Sequence, residues 1–252
     1  MLKTCVAALG VAGLLATFSV QAITADELIA KNAAARGGQD KIEAIKTLKF
    51  EGKLRVSGGF GAIELGLVQY EKAPDSVRTE ATVQGLTQVQ AWDGHEAWQI
   101  SPFQGRRDAE RMSADDAKSL ADDAPITGAL IDYKAKGSRV EYQGTEDVEG
   151  TNAYKLKVTL ANGDIKYVYL DPDHYLEIRT ISQVQVRGTE NETTTDFGDY
   201  EQVAGVYFPF SITAQSKDGG GTTTTISIDT GEANVAIADS LFAFPAPAKV
   251  KP

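Results

Sequence analysis

Apolar and polar residues alternate with a period of two along most of this chain, and this alternation constrains its fold more than any other feature. Leu48 and Phe50 begin the first such segment, where they alternate with charged side chains as in a strand buried on one face. Similar segments recur about every 8–12 residues, separated by turn signals of which Asp93-Gly94 and Asn162-Gly163 are the strongest. The pattern predicts a mainly β (α+β) fold, a curved antiparallel sheet or incomplete β-barrel of about eleven strands.

Helical patterns interrupt the predicted strands at two places. A capping-box pattern at residues 24–27 predicts an N-terminal helix. The alternation then stops between residues 101 and 137, where Ser113 and Pro125 are typical helix starts. We therefore expect the segment 113–135 to form a helical lid over the concave side of the sheet, in addition to the cover that the N-terminal helix provides.

The first 22 residues have the pattern of a secretory signal peptide. Lys3 precedes an apolar run over residues 6–20, and small residues fit a cleavage site after Ala22. The run is too short to predict a membrane anchor, and no later stretch predicts a membrane span. The only cysteine, Cys5, lies before the run, so lipidation is not expected. We expect residues 23–252 to form a single, monomeric domain after export.

Composition and missing motifs exclude several classes of function. The 252 residues carry a net charge of −10, which disfavours nucleic-acid binding because phosphates require clustered lysine and arginine. The acidic groups near His95 and His174 lie at turn signals, where aspartate and histidine are common for other reasons than metal binding. The sequence has no nucleophile elbow and no phosphate loop. We therefore expect no metal, no cofactor and no enzymatic activity.

Several segments taken together are similar to a known family. They are residues 30–38, the Trp92-Asp93-Gly94 turn with Trp98, Ser101-Pro102-Phe103, and residues 154–158, 167–171 and 205–209. They resemble the outer-membrane lipoprotein-sorting proteins of the LolA/LolB-like superfamily over nearly all of residues 23–252. The resemblance implies a periplasmic, incomplete β-barrel whose helix-covered cavity takes acyl chains of lipoproteins or other lipids. A related group of periplasmic regulators uses the same fold as a sensor.

The expected cavity would be lined by inward-facing strand positions and by the lid. The candidate ligand-binding residues are Phe50, Leu65, Trp92, Trp98, Phe103, Met112, Leu120, Ile126 and Leu130. The two tryptophans either line the cavity or fill the core, and the register across Asp93-Gly94 decides whether they share a face. We therefore predict a periplasmic carrier or chaperone that shields acyl chains between envelope donor and acceptor proteins. A protein-binding or sensor module without lipid transport is the alternative.

Overall fold

The computed structural model describes residues 23–59, 61–217 and 220–246, and the predicted signal peptide lies outside these residues. The helices are α1 (Ala25–Ala35), α2 (Gln39–Ala44) and α3 (Ala114–Asp123). The strands are β1 (Thr47–Gly58), β2 (Gly61–Lys72), β3 (Ser76–Val83), β4 (Leu86–Trp92), β5 (Ala97–Ser101), β6 (Arg106–Arg111), β7 (Arg139–Val148), β8 (Thr151–Thr159), β9 (Ile165–Leu170), β10 (Glu177–Val186), β11 (Thr189–Val203), β12 (Val206–Ser216) and β13 (Thr223–Ala233). The capping box predicted for α1 is present at Thr24 and Glu27.

These strands form one antiparallel sheet that does not close into a barrel, which confirms the predicted fold class. The order across the sheet is β6-β5-β4-β3-β2-β1-β13-β12-β11-β10-β9-β8-β7. Spatial neighbours are consecutive in the chain except at the centre, where β1 pairs with β13. The two edges, β6 and β7, are therefore consecutive in the chain. The connection between them, residues 112–138, carries α3 from one edge to the other.

The sheet has thirteen strands rather than about eleven, and β6 lies in a region where the sequence predicts no strand. Its sequence is Arg-Arg-Asp-Ala-Glu-Arg, which leaves no apolar alternation to detect. β6 forms at the edge without a buried face, because its ladder with β5 supplies the backbone hydrogen bonds. Charged side chains also protect such an edge from pairing with other chains.

The inner face of the sheet, defined as the face on which α1 and α2 pack, is filled at one end by aromatic side chains. Phe50 meets Phe208 and Phe210 edge to face, at ring-centroid distances of 5.8 and 6.2 Å. Ala33 of α1 and Ile42 of α2 cover these rings and are almost fully buried. A second apolar cluster extends the filled region toward β7 and consists of Leu28, Leu130, Leu156, Val158, Val168 and Leu170.

Residues 126–137 form successive turns instead of the helix predicted to begin at Pro125. The prediction is wrong because one lysine holds this segment in a different conformation. Lys136 Nζ donates hydrogen bonds to three acceptors within it, Thr127 Oγ1 at 2.6 Å, Gly128 O at 2.7 Å and Ile131 O at 2.9 Å. Gly128 and Asp132 also have positive φ, 75° and 53°, which a right-handed helix does not contain. Burial lowers the pKa of Lys136 to about 8.

A C-terminal segment, residues 237–244, crosses the outer face of the sheet, and we call this segment the strap. Trp98 Nε1 donates to the carbonyl oxygen of Phe242 at 2.7 Å, and its ring meets Phe244 at 6.3 Å. Trp98 and Phe242 are each 1% exposed. The strap therefore supplies the apolar cover that this part of the outer face needs.

Candidate ligand-binding site

α3 crosses the open side of the sheet and contacts both halves of it. On one side it contacts β4 and β5, and on the other it contacts β10. The crossing follows from the topology, because the chain must pass from the edge strand β6 to the edge strand β7. Both halves of the sheet thus contact α3, and we take the space between this helix and the inner face as the candidate site.

Polar contacts, more than apolar packing, attach α3 to the sheet. Lys118 Nζ donates to the carbonyl oxygen of Gln185 at 2.7 Å. Arg187 Nη2 pairs with Asp116 Oδ2 at 2.6 Å, with both side chains substantially exposed. Within α3 only Ala117 is fully buried. Because exposed ion pairs contribute at most about 1 kcal/mol each, α3 is held weakly compared with the buried segment that follows it.

An apolar cleft of about 340 Å³ lies between α3 and the β4–β5 hairpin. Its lining residues are Trp92, His95, Glu96, Ala97, Arg111, Met112, Ala114, Ala117, Lys118, Ala121 and Asn162. The alanines recur along one side of α3 and leave space opposite the Trp92 ring. The Trp92 Nε1 atom is buried and has no hydrogen-bond partner among the described residues. The cleft can therefore accept an apolar group, and its lining also includes the polar side chains of His95, Glu96, Arg111, Lys118 and Asn162.

A smaller, polar recess of about 110 Å³ lies on the other side of α3, against β9, β10 and β11. Its lining residues are Ser119, Asp122, Asp123, Leu160, Asp164, Ile165, Lys166, Ser182, Val184, Asn191, Thr193 and Thr195. Lys166, Ser182 and Thr193 lie side by side on the inner face, because each pairs with the next across neighbouring strands. Lys166 Nζ forms an ion pair with Asp123 Oδ1 at 2.6 Å.

Two carboxylates of the recess are incompletely hydrogen-bonded. Asp122 Oδ1 accepts from Asn162 Nδ2 at 3.0 Å, and Asp164 Oδ1 accepts from the Gln185 backbone N–H at 3.1 Å. Their Oδ2 atoms are buried and have no partner among the described residues. Burial raises the pKa of Asp122 to about 6, against the opposing effects of Asn162 and Lys166. The recess thus holds more negative charge than its own groups neutralise.

The inner face between these two pockets is not uniformly apolar. Leu65 and Leu67 of β2 are buried there, but Gln69 and Glu71 follow on the same face and the same strand. Gln69 Nε2 donates to Glu71 Oε1 at 2.6 Å. Burial raises the pKa of Glu71 to about 7, while the bond from Gln69 and the charge of Arg36 act in the opposite direction. A bound ligand would therefore meet both apolar and polar surface beneath α3.

Two of the predicted site residues line the cleft, and two more lie on α3 or on the inner face. Trp92 and Met112 line it directly, and Leu120 is half-buried on α3. Leu65 is on the inner face, opposite Leu54 and 6% exposed. Contact of these side chains with a ligand stays a prediction.

The remaining predicted residues lie elsewhere. Trp98 pairs with Ala91 and therefore faces away from Trp92, so it fills the outer core under the strap and does not line a cavity. Phe103 is 45% exposed on a short 3-10 turn. Phe50, Ile126 and Leu130 belong to the two clusters that fill the end of the inner face under α1 and α2. Packed side chains of this kind form the floor of the site and not an open surface.

Sequence reasoning missed the polar recess entirely. Asn162 and Asp164 flank the tight turn between β8 and β9, where turn chemistry alone explains both residue types. Lys166 looks like an ordinary outward-facing strand residue, yet it is 9% exposed. The spacing of Ala114, Ala117 and Ala121 marks the face of α3 that borders the apolar cleft, and it does not indicate the recess.

No protein-family model matches this chain, and no curated protein matches it by sequence. The comparisons with solved structures therefore show the fold alone, an open antiparallel sheet of LolA-like type.

Three solved structures carry this conclusion. A LolA superfamily protein from Nitrosomonas europaea superposes with a TM-score of 0.59 at 12% identity, covering 88% of this chain and 98% of that one. A DUF1329 family protein from Desulfovibrio piger superposes with a TM-score of 0.61 at 14% identity, covering 87% and 97%. An outer membrane lipoprotein-sorting protein domain from Vibrio parahaemolyticus superposes with a TM-score of 0.57 at 13% identity, covering 86% and 94%. At these identities the likeness shows the fold alone.

Within the described parts of the chain, no helix is long and apolar enough to cross a bilayer.

Proposed function

We propose that this protein is a periplasmic carrier that shields acyl chains of lipoproteins or other lipids beneath α3. The observation that carries the proposal is the weakly attached helix that spans the open side of the sheet above an apolar cleft. The fold shared with lipoprotein-sorting proteins supports it, as does the predicted export signal in residues 1–22.

Burial of apolar surface supplies the binding free energy in this proposal. Each methylene group removed from water contributes about 0.8 kcal/mol, so even a partly buried chain gains several kcal/mol. Displacing α3 breaks mainly polar contacts: those with Gln185 and Arg187 are exposed to water that can replace them, and the ion pair of the buried Lys166 with Asp123 accounts for most of the cost. Loading and release then need neither a covalent step nor a nucleotide.

Only α3 moves in this mechanism, and the segment that follows it stays in place. Ile126, Leu130 and Ile131 are at most 6% exposed, and Lys136 holds the turns that carry them. Buried side chains of this kind cost several kcal/mol each to expose. The moving element therefore ends near Ala124, and the predicted lid of residues 113–135 is divided into a movable helix and a fixed base.

Native mass spectrometry of residues 23–252 purified from a bacterial periplasm tests the proposal. We expect a stoichiometric lipid or acylated peptide, released by solvent extraction. Leu120→Asp should reduce its occupancy, because a charge would then stand on the apolar side of α3. Ile63→Asp is the matched control, since Ile63 is 47% exposed on the distant β1–β2 hairpin. An apo mass that persists after incubation with lipids and acylated peptides would contradict the proposal.

A protein-binding module is the second candidate, and one sheet edge favours it. Among the described residues, β6 pairs only with β5, and β7 pairs only with β8. The outer edge of β7 therefore presents unpaired backbone groups on which an extended segment of another protein could add a strand, whereas the charged side chains of β6 disfavour pairing at the other edge. Recovery of a bound peptide without any acyl group in the same mass spectra would favour this candidate over the carrier.

A further inference from the structure

We propose that the polar recess beside α3 binds a primary ammonium group, such as the headgroup of an aminolipid or a free alkylamine. The inference deepens the proposed function and rests on it for the lipid source of the amine. It starts from two carboxylate oxygens, Asp122 Oδ2 and Asp164 Oδ2, which are buried without hydrogen-bond partners among the described residues and belong to side chains that line the recess.

Asp164 gives the clearest indication of a missing ligand. Its side chain is held in place because its Oδ1 accepts the Gln185 N–H, while Asn162 Oδ1 accepts the Asp164 N–H at 2.9 Å. The residue is 4% exposed. A buried carboxylate oxygen without a donor is costly, so native structures rarely leave one unpaired. A donor that enters the recess would remove this cost.

Charge within the recess favours a cation as that donor. Of the three aspartates that line it, Asp123 is paired with Lys166, whereas Asp122 and Asp164 have no cationic partner within 4.0 Å among the described residues. A monocation would thus meet two carboxylates. Buried charges of one sign are stable when an opposite charge with hydrogen-bond donors joins them.

The geometry favours an ammonium group over a metal ion. Among the described residues, no three acidic or histidine side chains converge as metal ligands. An ammonium group needs only separate acceptors for its three N–H bonds, and the recess adds the hydroxyl groups of Ser119, Ser182 and Thr193 to the carboxylates. A recess of about 110 Å³ also suits a group of the size of ethylammonium.

The recess lies close to the apolar cleft in which the proposed carrier would hold an acyl chain. The recess and the apolar cleft lie on opposite sides of α3, and both include residues of this helix. An acyl chain under α3 could thus place a polar headgroup in the recess. Movement of α3 would open both pockets, since Asp122 and Asp123 belong to the helix itself.

A matched pair of lysolipids tests the inference. Lysophosphatidylethanolamine and lysophosphatidylcholine carry the same charges, but only the former has ammonium N–H donors. We expect residues 23–252 to bind the ethanolamine lipid about tenfold more tightly, as a charged hydrogen bond to a buried partner implies. Asp122→Asn/Asp164→Asn should remove the preference and leave the affinity for the choline lipid within about twofold. Asp173→Asn, at an exposed turn, is the control.

A small-amine titration separates this inference from the carrier proposal. Ethylammonium chloride should raise the Tm of the unmodified protein more than tetramethylammonium chloride does, and this difference should vanish in the double variant. If the double variant does not fold, Asp122→Asn alone should reduce the difference.

Stabilisation by ethylammonium without a lysolipid preference would assign the recess to free amines. Equal lysolipid affinities together with equal Tm shifts would overturn the ammonium site and leave the carrier intact. Failure of both lysolipids to bind would instead contradict the carrier.

Discussion

Gly37 follows α1 and closes it against the turn between β11 and β12. Its φ is 122°, and an added Cβ would lie 2.3 Å from the Gly205 carbonyl oxygen. Gly38 has a similar φ of 103°, but a Cβ added there would meet no heavy atom within 4 Å. We expect Gly38→Ala to cost about 1–3 kcal/mol from backbone strain alone. Gly37→Ala should cost at least about 1 kcal/mol more, because the methyl group overlaps backbone atoms that cannot turn aside.

Urea unfolding of the two glycine variants measures both costs. Equal losses would contradict the overlap at Gly205, whereas the strain from positive φ would still explain them. The pair is matched because the residues are neighbours in the chain and lie on the same connection.

The raised pKa of Asp122 predicts that the free energy of unfolding depends on pH. Its pKa in the folded state, about 6, lies above the ordinary value of 3.8, because burial disfavours the charged form. The folded protein therefore binds this proton more tightly than the unfolded chain does. The stability that the neutral carboxyl contributes is fully present below about pH 4 and is lost as the pH rises through about 6.

The Asp122→Asn variant tests this dependence. It keeps an acceptor for Asn162 Nδ2 and removes the titrating group. We expect the free energy of unfolding of the variant to exceed that of the unmodified protein by about 1 kcal/mol at pH 7.5. This value is reduced because the group is partly exposed. The difference should vanish near pH 4. Urea unfolding at the two pH values provides the measurement, and a difference independent of pH would show that burial of the charge is not its cause.

Single residues also show where sequence reasoning reaches its limit at the site. Met112 could be placed at the entry of the lid because it directly precedes Ser113, and Trp92 could be placed on the Asp93-Gly94 hairpin but not on one side of the sheet. The opposite facing of Trp98 could not be predicted, because it depends on a register that pairs Trp92 with Ala97. Asp164 gave no signal either, since its burial arises from β10 and α3, which are distant in sequence.

Among the elements, the turns of residues 126–137 combine backbone hydrogen bonds of their own with the three bonds that Lys136 donates. Lys136→Met keeps the length of the side chain but leaves acceptors such as Gly128 O and Ile131 O without their donor. We expect a loss of about 2–4 kcal/mol and faster hydrogen exchange across the segment. Lys134→Met is the matched control, because the side chain of Lys134 is 71% exposed and its ion pair with Asp26 is worth little.

Hydrogen exchange followed by mass spectrometry distinguishes two outcomes for this segment. Faster exchange in residues 126–137 alone would confirm the role of Lys136 there. Unchanged exchange in the Lys136→Met variant would contradict it, and the apolar packing of Ile131 would then have to account for the turns.

The elements that the sequence predicts correctly are those that local chemistry determines. The strands follow from alternation, α1 from its capping box, and α3 from Ser113, whose hydroxyl accepts the Asp116 N–H. The failures have the opposite cause. β6 is held by pairing with β5 and by no pattern of its own, and the turns after Pro125 are held by Lys136. Contacts made in the folded chain override local propensity at both places.

At the scale of the whole molecule, an open sheet of this size needs a brace, and the strap is placed to supply it. Lys72 of β2 donates to the Ile237 carbonyl oxygen, and Arg78 of β3 donates to the Leu241 carbonyl oxygen, both at 3.0 Å. Trp98 of β5 then donates to Phe242, and the guanidinium of Arg111 lies 4.1 Å from the ring centre of Phe244. The strap leaves the central strand β13 and reaches the edge strand β6 by these contacts.

Phe242→Ala is the variant that tests the brace. Phe242 is 1% exposed, so its removal should cost about 3–5 kcal/mol in urea unfolding. In a Trp92→Phe background, where Trp98 is the only tryptophan, we also expect the emission to shift to longer wavelength as water reaches the indole. Phe103→Ala is the control and should cost less than about 1 kcal/mol, because Phe103 is 45% exposed. A small cost with unchanged emission would mean that β2–β6 hold their outer face without the strap, and the half of the sheet beside the apolar cleft would then be stable through strand pairing alone.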